Sequence, residues 1–341
     1  MQTTSTHAPT LIHRASTPAD FLSTVPHLIG FLPERSVVLV PFVGKRSCGA
    51  LRFDLPTGDS SVLVPYVVAM LCRYEIAESV RVVVYSADDI AEAWPLPEEE
   101  FVEDLLSALR GVGFRRTEAW LVAADGWTCY TDDEFGRRSS TELAAAASAL
   151  TPDAPPLRSV AERATPPAVD PVEMASVRVE VAALLERCPD HTLPESERMR
   201  ALAAIRRVAK GGPRPSSSVS ALILVLVQRQ DRRRDVLLEG LWLGDHRARS
   251  RAIRPPLERV ERVIELAGYL AACAAEPESS AAFAFLAIAH WACGQNSVAG
   301  AVTDRALDLD PGNPDLHALS EMFSAGAVAP WIRFQSQDGI R

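Results

Sequence analysis

Lysine is nearly missing from this chain of 341 residues: Lys45 and Lys210 are the only two, so arginine carries almost all the positive charge. Alanine is abundant, and the two biases together are what a GC-rich genome produces. Arginine enrichment alone therefore does not indicate recognition. Paired cysteines are missing too. Cys48, Cys72, Cys129, Cys188, Cys273 and Cys293 are scattered and never form CxxC, which excludes a paired-cysteine redox motif and predicts free, mostly buried thiols. No apolar run approaches the ~20 residues that span a bilayer; the run 62–72 is interrupted by Pro65. The opening MQTTSTHAPTLIHRAST lacks the apolar core of a secretion signal. Both absences predict a cytoplasmic protein with no membrane partner.

Most catalytic signatures are absent as well. GxSxG, HExxH and a calcium loop do not occur. GVGFRR at Gly111 lacks the third glycine of a dinucleotide loop and follows a helical pattern, the wrong context. VGKRS at Val43 has the Gly-Lys of a phosphate loop without its upstream glycine or following Ser/Thr. The seven histidines stand alone, so neither a metal site nor a cofactor is expected.

The residues that are present describe an ordinary globular balance, 48% hydrophobic and 23% charged. The length predicts two domains. Thr151 begins TPDAPPLRSVAERATPPAVDP, with six prolines in 21 residues, which forbid a continuous helix or an interior strand. The expected organisation is a disordered arm over 1–17, a mixed α/β domain over 18–150, a proline-rich linker over 151–171 and a helical domain over 172–341. In fold class this is α+β: a five-stranded sheet with helices, followed by an all-α part.

Five short runs read as strands. VVLVPF (37–42) and CGALRFDL (48–55) form a predicted hairpin around VGKRS. RVVVYS (81–86) is a buried strand. AWLVAA (119–124) turns at Asp125-Gly126 into WTCY, and a DG pair is a strong hairpin signal. Between them lie a helix over 62–73, capped by Ser60 or Ser61, and one over 97–110 with Glu98, Glu99 and Glu100 in its first turn, where the helix dipole favours negative charge.

Beyond the linker the pattern is helical. Asp170-Pro171-Val172-Glu173 resembles a capping box with proline at the first helical position. Helices follow over about 194–210 and 257–274, while 219–227 is apolar all round and reads as a buried helix or a strand. Phe283, Leu286, Ala287, Ala299, Ala306 and Pro311 fall at spacings similar to a tetratricopeptide repeat, and Tyr269, Ala272 and Pro277 suit the second half of another.

The stretch PHLIGFLPERSVVLV (26–40) admits two readings. His27 as base, Glu34 as acid and Arg35 as anion clamp would make a site. In the structural reading Pro26 and Pro33 fix turns, Gly30 supplies a free backbone angle, and Phe31 and Leu32 plug the core. Without a partner at catalytic spacing the structural reading is preferred. The stretch, followed by LRFDLP at Leu51, resembles the actinobacterial domain-of-unknown-function 4192 family. DGW at Asp125, RRD at Arg233 and ALDLDP near the C-terminus resemble it in the same order, so the likeness spans most of the chain. The matching motif residues are His27, Gly30, Phe31, Glu34, Arg52, Asp54, Trp127, Arg234 and Asp235. The resemblance implies a cytoplasmic protein with no assigned activity.

Three functions compete. The preferred one is a non-catalytic interaction or adaptor protein, binding a protein partner or a second copy. The second is a small-molecule or divalent-metal-dependent activity. If 81–86 and 119–124 are parallel, Ser86, Asp88, Asp89 and Asp125 gather at their carboxyl ends, the edge where open α/β sheets bind ligands, and could hold magnesium or act as acid and base. The third is nucleic-acid binding through 196–262, which holds 16 Arg/Lys against 7 Asp/Glu. It is less favoured, because only Trp242 interleaves the arginines and 1–150 holds 12 Arg/Lys against 20 Asp/Glu, an acidic domain the stripe could face instead. Arg234-Asp235 fits that account, with the aspartate capping a following helix. In the tail APWIRFQSQDGIR, Trp331, Ile332 and Phe334 lie beyond a last helix expected to end near Ala325-Gly326. Large apolar side chains need cover, so the tail folds back on its own domain or docks elsewhere.

Overall fold

The computed structural model describes residues 15–73, 77–90, 95–114, 116–132, 136–150, 156–276 and 278–332. They form two compact units that divide after Ser159. Most of the expected N-terminal arm, 1–14, and residues 151–155 of the expected linker lie outside the described residues.

The first unit holds strands β1 (Ser36–Val43), β2 (Arg46–Ser47), β3 (Leu51–Asp54), β4 (Ser79–Tyr85), β5 (Thr117–Ala123) and β6 (Gly126–Cys129). Its helices are α1 (Pro18–Ile29), α2 (Leu63–Leu71), α3 (Glu99–Gly111) and α4 (Ser140–Leu150). The sheet runs β2-β1-β4-β5-β6, with β3 also on β1. β2 and β3 share one edge of β1, so the expected five ranks are present and the outermost is broken at 48–50. β4 and β5 are parallel, the condition on which the carboxyl-edge reading depends, and α3 makes the crossover.

Valine and leucine alternate between two covered faces, as strands buried on both sides do. Val37, Leu39, Val82, Val84 and Leu121 pack with Val67 of α2 and Phe101, Leu105 and Leu109 of α3. Val38, Val40, Val83 and Trp120 pack with Phe21, Leu22 and Val25 of α1, and with Leu143 and Ala146 of α4. Each fully buried Val, Leu or Phe among these stabilises the fold by about 1.5–3 kcal/mol, while Leu143 and Ala146 are only partly covered.

Local chemistry departs from expectation at four places. Pro26 lies inside α1 and fixes no turn. A reciprocal Thr17–Asp20 capping box starts α1, and Gly30, at φ 83°, ends it. Leu32 stays exposed, its N–H bonded to the Arg158 carbonyl, while Phe31 is buried. Neither serine caps α2: Ser60 Oγ donates to Asp104 Oδ2 at 3.0 Å and Ser61 Oγ to Asp59 Oδ2 at 2.7 Å. The β5–β6 turn centres on Ala124-Asp125, one residue earlier than DG. Gly126 instead opens β6, where a Cβ would strike the Arg138 carbonyl that receives the Trp127 N–H.

The second unit is all helical: α5 (Val160–Ala164), α6 (Pro171–Arg187), α7 (Glu195–Ala209), α8 (Ser217–Val227), α9 (Gln230–Trp242), α10 (His246–Ser250), α11 (Leu257–Cys273), α12 (Ser279–Ala292), α13 (Asn296–Leu309) and α14 (Pro314–Ser324). α5 falls inside the stretch read as linker. The ambiguous apolar run is helix α8, buried from Ser220 to Val227 between α6, α7 and α9. Asp170 caps α6 as expected, but Glu173 closes no capping box; it accepts from Tyr269 Oη at 2.9 Å and pairs with Arg214. α11, α12, α13 and α14 each pack on the next in sequence. The tail folds back here: Trp331 Nε1 donates to the Ala292 carbonyl at 2.8 Å, and its ring meets Trp242 and Trp291 edge-on. Phe334 lies outside the described residues. Among the described residues no helix is long and apolar enough to cross a membrane.

Candidate functional site

The parallel pairing of β4 and β5 brings the expected carboxylates to one edge, where Ser86 N–H bonds the Val122 carbonyl at 3.0 Å. Asp88 and Asp125 meet there through the backbone: the Ala124 N–H reaches the Asp88 carbonyl at 3.4 Å. The Asp125 carboxylate is already committed. Its Oδ1 accepts the Ile90 N–H at 2.8 Å, and its Oδ2 lies 2.7 Å from Arg137 Nη2. It braces the 88–90 loop onto the hairpin. Asp88 and Asp89 are exposed, and the Asp88 N–H is held by Ser86 Oγ at 3.2 Å. Among the described residues no group of three His, Cys, Asp or Glu side chains could hold a metal ion.

The carboxylate that feels Asp88 is Glu98, which sequence reasoning placed in an ordinary first helical turn. Burial raises its carboxyl above the usual range, the Asp88 carboxylate adds to this, and Arg35 opposes it. Glu98 and Arg35 both hold positive φ, 61° and 40°, a conformation uncommon outside glycine. Nothing in EEE or PERS announces it.

Beside Glu98 opens a cleft of about 710 Å³ between the loop after β3 and the first turns of α3. Asp59, Glu98, Glu99, Glu100, Glu103 and Asp104 line it, and among the described residues no lysine, arginine or histidine does. Ser60 holds Asp104, and Glu99 accepts the Leu96 N–H at 3.2 Å. Six carboxylates around one opening make a negative potential; Arg35, which acts on Glu98, is not among the described lining residues.

A family model matches residues 18–328 of the chain, that of the family described as domain of unknown function (DUF4192). The chain belongs to this family. No curated protein and no solved structure shows a significant match to it.

In this DUF4192 chain the motif residues of the first unit serve the fold at the same sheet edge. Arg52 Nη2 donates to the Glu34 carbonyl at 3.1 Å and Nη1 lies 2.7 Å from Asp54 Oδ1, while the Leu55 N–H bonds the Arg35 carbonyl at 3.0 Å. PERS and LRFDLP thus clamp the start of β1 to the end of β3. His27 sits in the last turn of α1, and Trp127 is buried against Trp120. The RRD motif reads differently from expectation. Arg234 is exposed on α9, and its neighbour Arg233 is the buried one. Asp235 caps no helix; it lies within α9 and pairs with Arg232 at 3.2 Å.

The basic segment finds its partners close by. Arg206 pairs with Glu239, Arg198 with Glu195, Arg229 and Arg232 with Asp231, Arg262 with Glu258 and Arg233 with Asp315. All are carboxylates of the same helical unit.

Proposed function

We propose that this chain is a non-catalytic interaction protein whose acidic cleft receives a basic segment of a protein partner. One observation carries the reading: six carboxylates line the cleft, and no cation stands among its described lining residues. The sheet-edge carboxylate best placed for chemistry, Asp125, is bound to Ile90 and Arg137 instead of standing free. The reading includes a cytoplasmic location and a helical unit whose last helices stack in the manner of tetratricopeptide pairs, the small residues Ala287, Ala299 and Ala306 permitting close approach.

The test is a titration of the full chain with a fluorescent lysine- and arginine-rich peptide, beside neutral and acidic peptides of equal length. Expected is binding of the basic peptide alone, weakening as salt rises and lost in a Glu100→Lys/Glu103→Lys variant. Equal binding by that variant would sink the reading.

A second reading, a small-molecule or divalent-metal-dependent activity at this edge, draws support from the raised Glu98 carboxyl beside Asp88. Calorimetry with magnesium and manganese separates the two. Saturable heat that disappears in Asp88→Asn and persists in Glu100→Lys/Glu103→Lys favours the metal.

A further inference from the structure

A second cavity, about 250 Å³, lies within the helical unit. Two sequence motifs that stand far apart meet in its wall: RRD contributes Arg233, and ALDLDP contributes Asp310. The other polar lining residues are His191, Gln228, Glu278, Ser280, Asn313 and Asp315. Glu278, Ser280 and Arg233 are each more than nine-tenths buried. Buried polar groups are almost always hydrogen-bonded, and here part of that demand is unmet. Arg233 Nη2 holds Asp315 Oδ2 at 2.8 Å, but the buried Nε has no partner. Ser280 and Ala281, in the first turn of α12, line the cavity, and that turn has no side-chain cap; the Ser279 N–H is held by the Ala275 carbonyl at 2.9 Å, while the N–H groups of Ser280 and Ala281 have no partner within the helix.

The charges of the wall define what would satisfy it. Asn313 Nδ2 donates to Asp310 Oδ2 at 2.8 Å, which leaves the carboxylate its charge. Glu278, Asp310 and Asp315 outnumber the Arg233 guanidinium, so a simple anion meets a net negative wall. A simple cation offers Arg233 Nε no acceptor. A molecule carrying one carboxylate and one ammonium answers both. We propose that this cavity binds a free α-amino acid, its carboxylate accepting from Arg233 and the first turn of α12, its ammonium donating to Glu278 and Asp310. Ala281, Ala284 and Leu316 form the apolar part of the wall. The volume of about 250 Å³ is that of a single free amino acid.

The experiment is calorimetry and thermal unfolding of the full chain with the twenty amino acids at about 10 mM, where a millimolar ligand raises the melting temperature measurably. The carboxamide and the N-acetyl derivative of each binder are run beside it. Expected is saturable binding of one or a few amino acids, lost in both derivatives. Glu278→Gln should weaken it at least about tenfold, the usual scale for removing one charged hydrogen bond. Arg233→Lys keeps the charge and the Asp315 pair while removing the guanidinium, so it should weaken binding in a chain that still folds. No heat and no melting shift with any amino acid overturns the proposal. So does a carboxamide that binds as well as its parent, or an affinity that both substitutions leave unchanged.

Discussion

Arg233 on α9 donates from Nη2 to Asp315 Oδ2 at 2.8 Å, tying the middle of the helical unit to the first turn of its last helix. Arg233 keeps 7% of its side-chain exposure and Asp315 33%. Removing the arginine strands a half-covered carboxylate. Arg233→Ala should therefore cost about 2–3 kcal/mol, below the 3–5 typical of a fully buried pair. Arg234→Ala, one residue on and exposed, should stay within about 0.5 kcal/mol. Urea denaturation of the two variants checks the contrast.

Trp331 lies against two other tryptophans of its own unit, with ring centroids 4.6 Å from Trp242 and 5.6 Å from Trp291. Deleting 330–341 should lower the melting temperature and leave sedimentation unchanged. Trp331→Ala alone should cost about 2–3 kcal/mol, somewhat under a fully buried tryptophan. A truncated chain with full stability and altered sedimentation would show that the tail serves association instead.

His290 is buried, with Nδ1 2.9 Å from Gln295 Oε1 and Arg163 reaching the same oxygen at 3.0 Å. Burial lowers its pKa to about 4, Gln295 works against this, and Arg163 adds to the lowering. The unfolded chain therefore binds a proton near pH 6.5 that the folded chain refuses until about pH 4. The contribution to stability is intact above pH 6.5 and falls away as pH drops toward 4, on the order of 3 kcal/mol in all. Melting temperatures followed from pH ~7.5 to ~4 should fall less steeply in His290→Gln than in the unaltered chain.

Asp125 and Asp88 sit at the same edge with different duties. Asp125→Ala frees the Ile90 N–H and the Arg137 guanidinium, and should cost about 2–3 kcal/mol. Asp88→Ala, exposed in its loop, should cost under about 0.5 kcal/mol. Thermal unfolding of both separates a brace from a solvated loop residue, and equal losses would refute the assignment.

Much of the fold was legible in short windows. β1, β4 and β5 show as β-branched runs bounded by turn residues, and α6 shows as Asp-Pro at its start. α1 was hidden by Pro26, because a helix loses only one backbone bond to an internal proline, and the packing of Phe21, Leu22 and Val25 on the sheet holds it regardless. α4 is alanine-rich with little amphipathic pattern, so its sequence carries no comparable local signal. The buried phase of α9 was available in retrospect: Arg233, Val236 and Gly240 fall three and four apart on its buried side.

The candidate sites were not legible. The acidic cleft joins residues 56–60 to 95–104, and the second cavity joins 191, 228–233, 278–284 and 310–316. Composition and periodicity settled the class of the chain, its strands and most of its helices, because burial and backbone geometry act over a few residues. They also settled that no familiar catalytic motif is present. Which carboxylates stand free, which arginine is buried and what lines each cavity depended on the docking of distant segments. There a one-position change of helical phase separates exposed Arg234 from buried Arg233, and only the packed chain sets that phase.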